Sequence, residues 1–307
     1  MALSIEQSHK LDEFFQTSNF STKGAVVTDL DGTAVHEYQG MIVIHKEVEM
    51  GLKKIYDLGR PVIINTLRFP LSVIRTFGKE WYSISRKPIP VVLLNGSQLG
   101  FISQVNGELV FEQLESFPLE AIEIKQVVTG VGELQQAGIT DLILFFYPED
   151  WTQGEIIWTP AEEKVPAIRE KYQSASSVIS CSVSELEGIL LQNPVCMILL
   201  LIEAKDDQLM AYQHTKRNNF FTHNKVDKLF GTLQMAKHMD FSPEDSLGAG
   251  DSNMDVFLDG VGLSVHVRTP DLPFHGKLLT LKLQDYHAYG EILTKLSSMQ
   301  KKQLISK

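Results

Sequence analysis

The chain has 307 residues, 43% hydrophobic and 21% charged, an ordinary globular composition with length for one large core or two modest ones. Its net charge of −10 argues against nucleic acid or an anionic membrane as the main partner, so an anionic ligand would need locally placed cations. Its two cysteines, Cys181 and Cys196, form no CxxC pair, which disfavours a disulfide framework or zinc site and makes a reducing, cytoplasmic setting the natural expectation.

In chain order, apolar positions spaced among Glu6, Asp12 and Glu13 predict an amphipathic surface helix rather than a secretion signal. Short apolar runs then alternate with helical periodicity: strand at 24–28, helix at 47–58, strand at 62–64, helix at 71–77 and strand at 91–94. Nearly uninterrupted β-branched strands between helices mark a parallel sheet covered on both faces, so this part reads as α/β core. From about residue 101 the texture changes. A hairpin turn is expected around Asn106-Gly107, strands at 142–147, 155–158, 178–182 and 195–202, and helices at 119–136, 161–173 and 183–191. This pattern predicts a separate α+β module inserted at 103–215, with 1–102 and 216–307 forming the core. The apolar run 195–202 is too short to cross a bilayer. After a polar stretch at 213–219 the α/β pattern resumes at 229–239, 246–250 and 261–267, and 301–307 reads as a frayed tail.

Three polar signals each follow a predicted core strand directly: Asp29, Thr66 and Asp251. Ligands of open α/β sheets sit outside the carboxyl ends of the strands, so these three distant positions should converge on one crevice. In Asp29-Leu30-Asp31-Gly32-Thr33, two carboxylates two residues apart suit phosphoryl transfer, because one can attack while the other handles protons. Alone, the pair would read as an Asx-type turn. A calcium loop is excluded by Gly40 at the twelfth position, and the nine histidines include no HExxH. There is no Walker A string, Gly130-Val131-Gly132 lacks the third glycine of a dinucleotide loop, and Trp81, Trp151 and Trp158 read as packing residues rather than sugar platforms, although the latter two lie in the insertion, where they could face a ligand.

Together these segments resemble the haloacid dehalogenase (HAD) superfamily, and within it the Cof-like phosphatases with a type IIB cap. Asp29-Leu30-Asp31-Gly32-Thr33 is similar to the first motif, Thr66 with Arg68 to the second, Lys228 or Lys225 to the third, and Gly250-Asp251-Ser252-Asn253-Met254-Asp255 to the fourth. Met254 stands where the family usually has Asn, the lysine motif carries extra residues before Gly231, and the second motif lacks its common Gly. The resemblance implies a Rossmann-like parallel-sheet core with an inserted α+β cap domain. It also implies a Mg²⁺-dependent phosphatase acting on a small phosphorylated metabolite, such as a sugar phosphate, through an aspartyl-phosphate. In that scheme Asp29 is the nucleophile and Asp31 the general acid and base; Asp29, Asp31 and Asp251 hold the metal with Asp255 behind them, and Thr66, Lys228 and Arg68 bind phosphate. A phosphomutase, or a non-catalytic protein that binds a phosphorylated ligand on the same fold, are the alternatives.

Overall fold

The computed structural model describes residues 3–39, 41–139, 141–203, 208–209, 220–269 and 271–305. They divide into two compact units, one of Met1–Leu67, Val73–Leu114 and Asp227–Lys307, the other of Arg68–Ser72 and Glu115–Val226. The polar stretch at 213–219 and the core boundary expected at 215/216 lie outside the described residues.

The first unit opens with α1 (Ile5–Thr17), started by a capping box in which Ser4 Oγ accepts the Gln7 N–H at 3.1 Å and Gln7 Oε1 accepts the Ser4 N–H at 2.9 Å. Its apolar stripe is the packed side, with Leu11 and Phe14 buried. There follow α2 (Phe20–Lys23), β1 (Val26–Thr28), a hairpin of β2 (Val35–Tyr38) and β3 (Met41–Ile44), α3 (Lys46–Asp57), β4 (Val62–Asn65), α4 (Pro70–Val73) and, after a π-helical turn at Ile74–Gly78, α5 (Lys79–Ser85). The strands β5 (Ile89–Leu93), β6 (Gln98–Val105) and β7 (Glu108–Ser116) come next. Asn106 and Gly107, both at positive φ, make the hairpin turn between β6 and β7.

The second unit contains α6 (Ala121–Gln136), β8 (Leu142–Pro148), β9 (Ile156–Thr159), α7 (Val165–Lys171), β10 (Ser177–Ser180), α8 (Val183–Gln192), β11 (Val195–Glu203), β12 (Gln208–Leu209) and β13 (Phe220–Phe221). The chain then returns to the first unit with α9 (Lys228–Met239), β14 (Leu247–Gly250), β15 (Leu263–Val267), β16 (Leu279–Leu283) and α10 (Tyr286–Ile305).

The large sheet has the order β16-β15-β14-β1-β4-β5-β6-β7. It is parallel from β16 through β5, and β6 runs antiparallel to β5. Every residue of β1, β4, β5 and β14 is buried, which is why these strands read as continuous apolar runs rather than alternating ones. β1 lies between β14 and β4, with Val26 registered against both Leu247 and Val62. That register brings Asp29, Thr66 and Asp251 just past the carboxyl ends of three adjacent strands.

The second unit has its own sheet in the order β10-β9-β8-β11-β12, with β13 also pairing β11. β8 and β11 are antiparallel and β9 and β10 parallel. From α6, α8 and this sheet, Ile124, Val131, Leu144, Trp158, Leu186 and Ile198 join one buried core, and the Trp158 indole N–H donates to the Cys181 carbonyl at 3.0 Å. The frayed tail expected from 301 is instead the last part of α10, which is helical to Ile305. Leu293, Leu296 and Gln300 form its buried side, and Gln300 Nε2 donates to the Leu58 carbonyl at 3.1 Å, so burial on one face holds the final turns.

Candidate active site

Asp29 leaves the end of β1 with its N–H bonded to the Ala249 carbonyl of the neighbouring strand at 2.9 Å. The chain then turns tightly: the N–H groups of Thr33, Ala34 and Val35 all point to the Leu30 carbonyl, and Gly32 takes φ +79°. Glycine is required there for a second reason, since a Cβ would lie 2.1 Å from Asp251 Oδ2. Thr33 Oγ1 donates to Asp251 Oδ1 at 3.1 Å, tying the turn to the loop after β14.

The cation of the site is Lys228, the first residue of α9. Its ammonium donates to Asp29 Oδ1 at 2.6 Å and to Asp255 Oδ1 at 2.7 Å, and the side chain is 2% exposed. Asp255, wholly buried, is saturated: its other oxygen accepts the N–H groups of Asp251 and Ser252 and the Ser252 hydroxyl, at 3.0, 2.9 and 3.1 Å. It therefore shapes the loop and aims Lys228. Asn65, at the end of β4, donates to the Lys228 carbonyl at 2.9 Å and to Thr232 Oγ1 at 2.8 Å. The start of α9 is further fixed by its cap, where Asp227 Oδ1 accepts the Phe230 N–H at 2.8 Å, and by the turn at Gly96, where a Cβ would lie 2.2 Å from the Asp227 carbonyl oxygen.

Charge in this crevice is unbalanced. Burial pushes the Asp29 carboxyl well above the usual carboxylate range, Lys228 pulls it back, and Asp255, Asp251 and Asp31 push it up again. Asp251 is raised to about 7, first by burial and then by Asp255, against the opposing Thr33 hydrogen bond and the Lys228 charge. Burial pulls the Lys228 ammonium down, but Asp255 and Asp29 outweigh it and hold the pKa above its ordinary value, so the lysine stays charged. One ammonium among these carboxylates leaves room for a further cation. One carboxylate oxygen from each of Asp29, Asp251 and Asp255 lies within 4.8 Å of the other two. With Asp255 occupied by donors, Asp29 Oδ2 and Asp251 Oδ2 meet no protein donor among the described residues, and this all-oxygen set fits a hard divalent cation.

The structure thus gathers Asp29, Asp251, Asp255 and Lys228, with Asp31 exposed at the turn and close enough for its charge to act on Asp29. Thr66 is buried one strand away, its N–H bonded to the Val92 carbonyl at 2.9 Å and its carbonyl to the Asn95 N–H at 3.3 Å. Arg68 clusters with the second unit and donates to Ser72 Oγ at 3.1 Å. Lys225 is exposed, at φ +65°, and also belongs to the second unit. Met254 is buried, so an apolar side chain packs at the position expected to carry an amide. Thr33, Asn65 and Thr232 were not singled out from sequence. Asn65 did carry a signal, because a polar residue closing a wholly apolar strand must find a buried partner.

A sequence model described as haloacid dehalogenase-like hydrolase matches residues 26–269. No curated protein matches the chain. Among solved structures, an HAD/Cof-like hydrolase from Plasmodium vivax is 16% identical with a TM-score of 0.65, the match covering 94% of this chain and 99% of that one. A phosphatase of the same superfamily from Bacteroides thetaiotaomicron is 12% identical with a TM-score of 0.60, covering 91% and 96%. A HAD subclass IIB sugar phosphatase is 14% identical with a TM-score of 0.59, covering 90% and 98%. With the family matched across both halves of the large sheet and the second unit between them, this chain belongs to the haloacid dehalogenase-like hydrolases.

Proposed function

We propose that the chain is a Mg²⁺-dependent phosphatase that hydrolyses a small organic phosphate monoester, with sugar phosphates as the substrate class, through a phosphoryl group carried on Asp29. The observation that carries this reading is the Lys228 ammonium 2.6 Å from Asp29 Oδ1 at the carboxyl edge of the sheet, which puts a nucleophilic carboxylate and a receptor for phosphate oxygens in one place. The substrate class is taken from the sugar phosphatase that shares the fold.

Asp29 attacks phosphorus, the bond to the leaving oxygen breaks, and Asp31 gives that oxygen a proton. Water then attacks the same phosphorus and passes its proton to Asp31, and the bond to Asp29 breaks to release phosphate. Lys228 and Thr66 hold the transferring oxygens, and Asp255 keeps the lysine in place. Asp29 Oδ2, the Asp31 carbonyl and Asp251 would hold Mg²⁺, which when bound screens phosphate from the attacking carboxylate. The insertion, expected at 103–215, is the proposed source of substrate discrimination.

The reading is tested with Asp29→Asn. Its fold, by circular dichroism, should be unchanged, while turnover of an aryl phosphate with Mg²⁺ falls by about three orders of magnitude or more. Retention of more than about a tenth of the rate would remove Asp29 from the mechanism. Full turnover of the wild-type chain in EDTA would exclude the metal.

A further inference from the structure

Away from Asp29, the first unit holds a cluster of histidines that the proposed chemistry does not use. His36 lies on β2, His45 directly follows β3, Glu47 is in the first turn of α3, and His287 is in the first turn of α10. The Glu47 carboxylate stands between two imidazoles, with Oε2 2.8 Å from His45 Nδ1 and Oε1 3.5 Å from His287 Nδ1. The two rings meet edge to face with centroids 4.4 Å apart, and one donor atom from each of the three residues lies within 4.8 Å of the others. The rings of His36 and His45 are 5.5 Å apart, and both stack on Tyr286, whose hydroxyl accepts from Arg268 Nη1 at 2.7 Å.

Nδ1 of His45 is buried and, despite its short approach to Glu47, makes no aligned hydrogen bond among the described residues; nor does the buried Nδ1 of His36. A carboxylate oxygen and an imidazole nitrogen so close without a proton aimed between them have the relation of two ligands facing one cation. Donors about 2.0 Å from a tetrahedral ion are about 3.3 Å apart, a value that the 2.8 and 3.5 Å contacts bracket. Two nitrogens and one carboxylate select differently from the oxygen set around Asp29. Imidazole suits Zn²⁺ and its neighbours in the first transition row, whereas Mg²⁺ prefers oxygen.

We propose that His45, Glu47 and His287 form a second metal site, for a transition-metal cation of the Zn²⁺ class, with a fourth position left to water. His36 and Tyr286 wall the site and hold the His45 ring. The bound ion would join the starts of α3 and α10 to the foot of the β2–β3 hairpin, whose first strand begins two residues after Thr33 of the Asp29 turn.

The test is titration of the full-length chain with Zn²⁺ by calorimetry in excess Mg²⁺, which keeps the oxygen site filled, together with Co²⁺ as a visible probe. One equivalent of Zn²⁺ should bind, and Co²⁺ should show the intense visible bands of a low-coordinate site with nitrogen ligands. His287→Ala, at a half-exposed position, should weaken Zn²⁺ binding by at least about tenfold and remove the Co²⁺ bands. Asp251→Ala should leave both intact. Glu47→Gln, at a second partly exposed position, should weaken Zn²⁺ binding in the same way. Absence of Zn²⁺ binding in excess Mg²⁺, equal affinity in wild type and His287→Ala, or loss of the site in Asp251→Ala would each overturn the proposal.

Discussion

At the scale of single residues, the core depends on Lys228, because two buried carboxylates share its charge. Removing one partner from a buried ionic group costs more than the group contributes, since the remaining charges lose solvent and partner alike. Lys228→Ala should therefore lower stability by about 3–5 kcal/mol in urea denaturation, and Lys225→Ala should stay within about 0.5 kcal/mol of wild type. A wild-type midpoint for Lys228→Ala would mean that Asp29 and Asp255 do not rely on it. Glu155 gives a separate test in the second unit. Burial raises its carboxyl above the ordinary 4.5, against hydrogen bonds from Tyr147, at 2.6 Å, and Ser174. Below the ordinary value both folded and unfolded chains hold the proton. As pH climbs toward the raised value the unfolded chain releases it first, so stability falls and the loss persists at higher pH. Glu155→Gln keeps an acceptor for Tyr147 and should raise the melting temperature at pH 8 by more than at pH 4. Equal effects at both pH values would remove burial of the charge as the cause. The acidic residues of this site were legible because Asp29 and Asp31, and likewise Asp251 and Asp255, are near neighbours in sequence. Asn65 signalled only a need for some buried partner; which partner stayed hidden, because Lys228 and Thr232 lie 163 and 167 residues away and only the folded sheet brings them together.

Among elements, α9 is placed by a close approach to β5 and the turn after it. A Cβ at Gly231 would lie 2.4 Å from Val92 Cγ1 and 2.9 Å from the Gly96 Cα. In an exposed helix Gly→Ala is stabilising by about 0.5–1 kcal/mol. Here overlap with a buried strand should reverse the sign, so Gly231→Ala should destabilise by about 1–3 kcal/mol and lower kcat, because α9 also carries Lys228. A stabilised variant with unchanged kcat would show that the helix has room to move. The central strands could be read in advance because burial on both faces leaves an unbroken apolar run. The β2–β3 hairpin gives no such signal, since Val35 is buried while Glu37 and Tyr38 face solvent. The last turns of α10 were missed for a similar reason: Lys301 and Lys302 interrupt the stripe although Gln300 beside them is buried.

For the whole molecule, the proposed division of labour assigns chemistry to the first unit and discrimination to the insertion. Replacing Glu115–Val226 by a short linker should then flatten the ranking among sugar phosphates more than it slows hydrolysis of a small aryl phosphate, in a variant whose cooperative unfolding shows that the core persists. A deletion that keeps the parent's ranking would sink that assignment. The central place of β1 has a consequence for the order in which the molecule can be built. Its partner β4 follows soon after it, but β14 is encoded beyond the entire insertion, and Lys228 reaches Asp29 across 199 residues. On the ribosome, therefore, the second unit is synthesised and free to collapse on its own local core while β1 still waits with one edge unpaired. The nascent protein passes through a stage in which the part proposed to choose substrates is complete and the part proposed to transform them is not, with the exposed strand edge as its point of vulnerability.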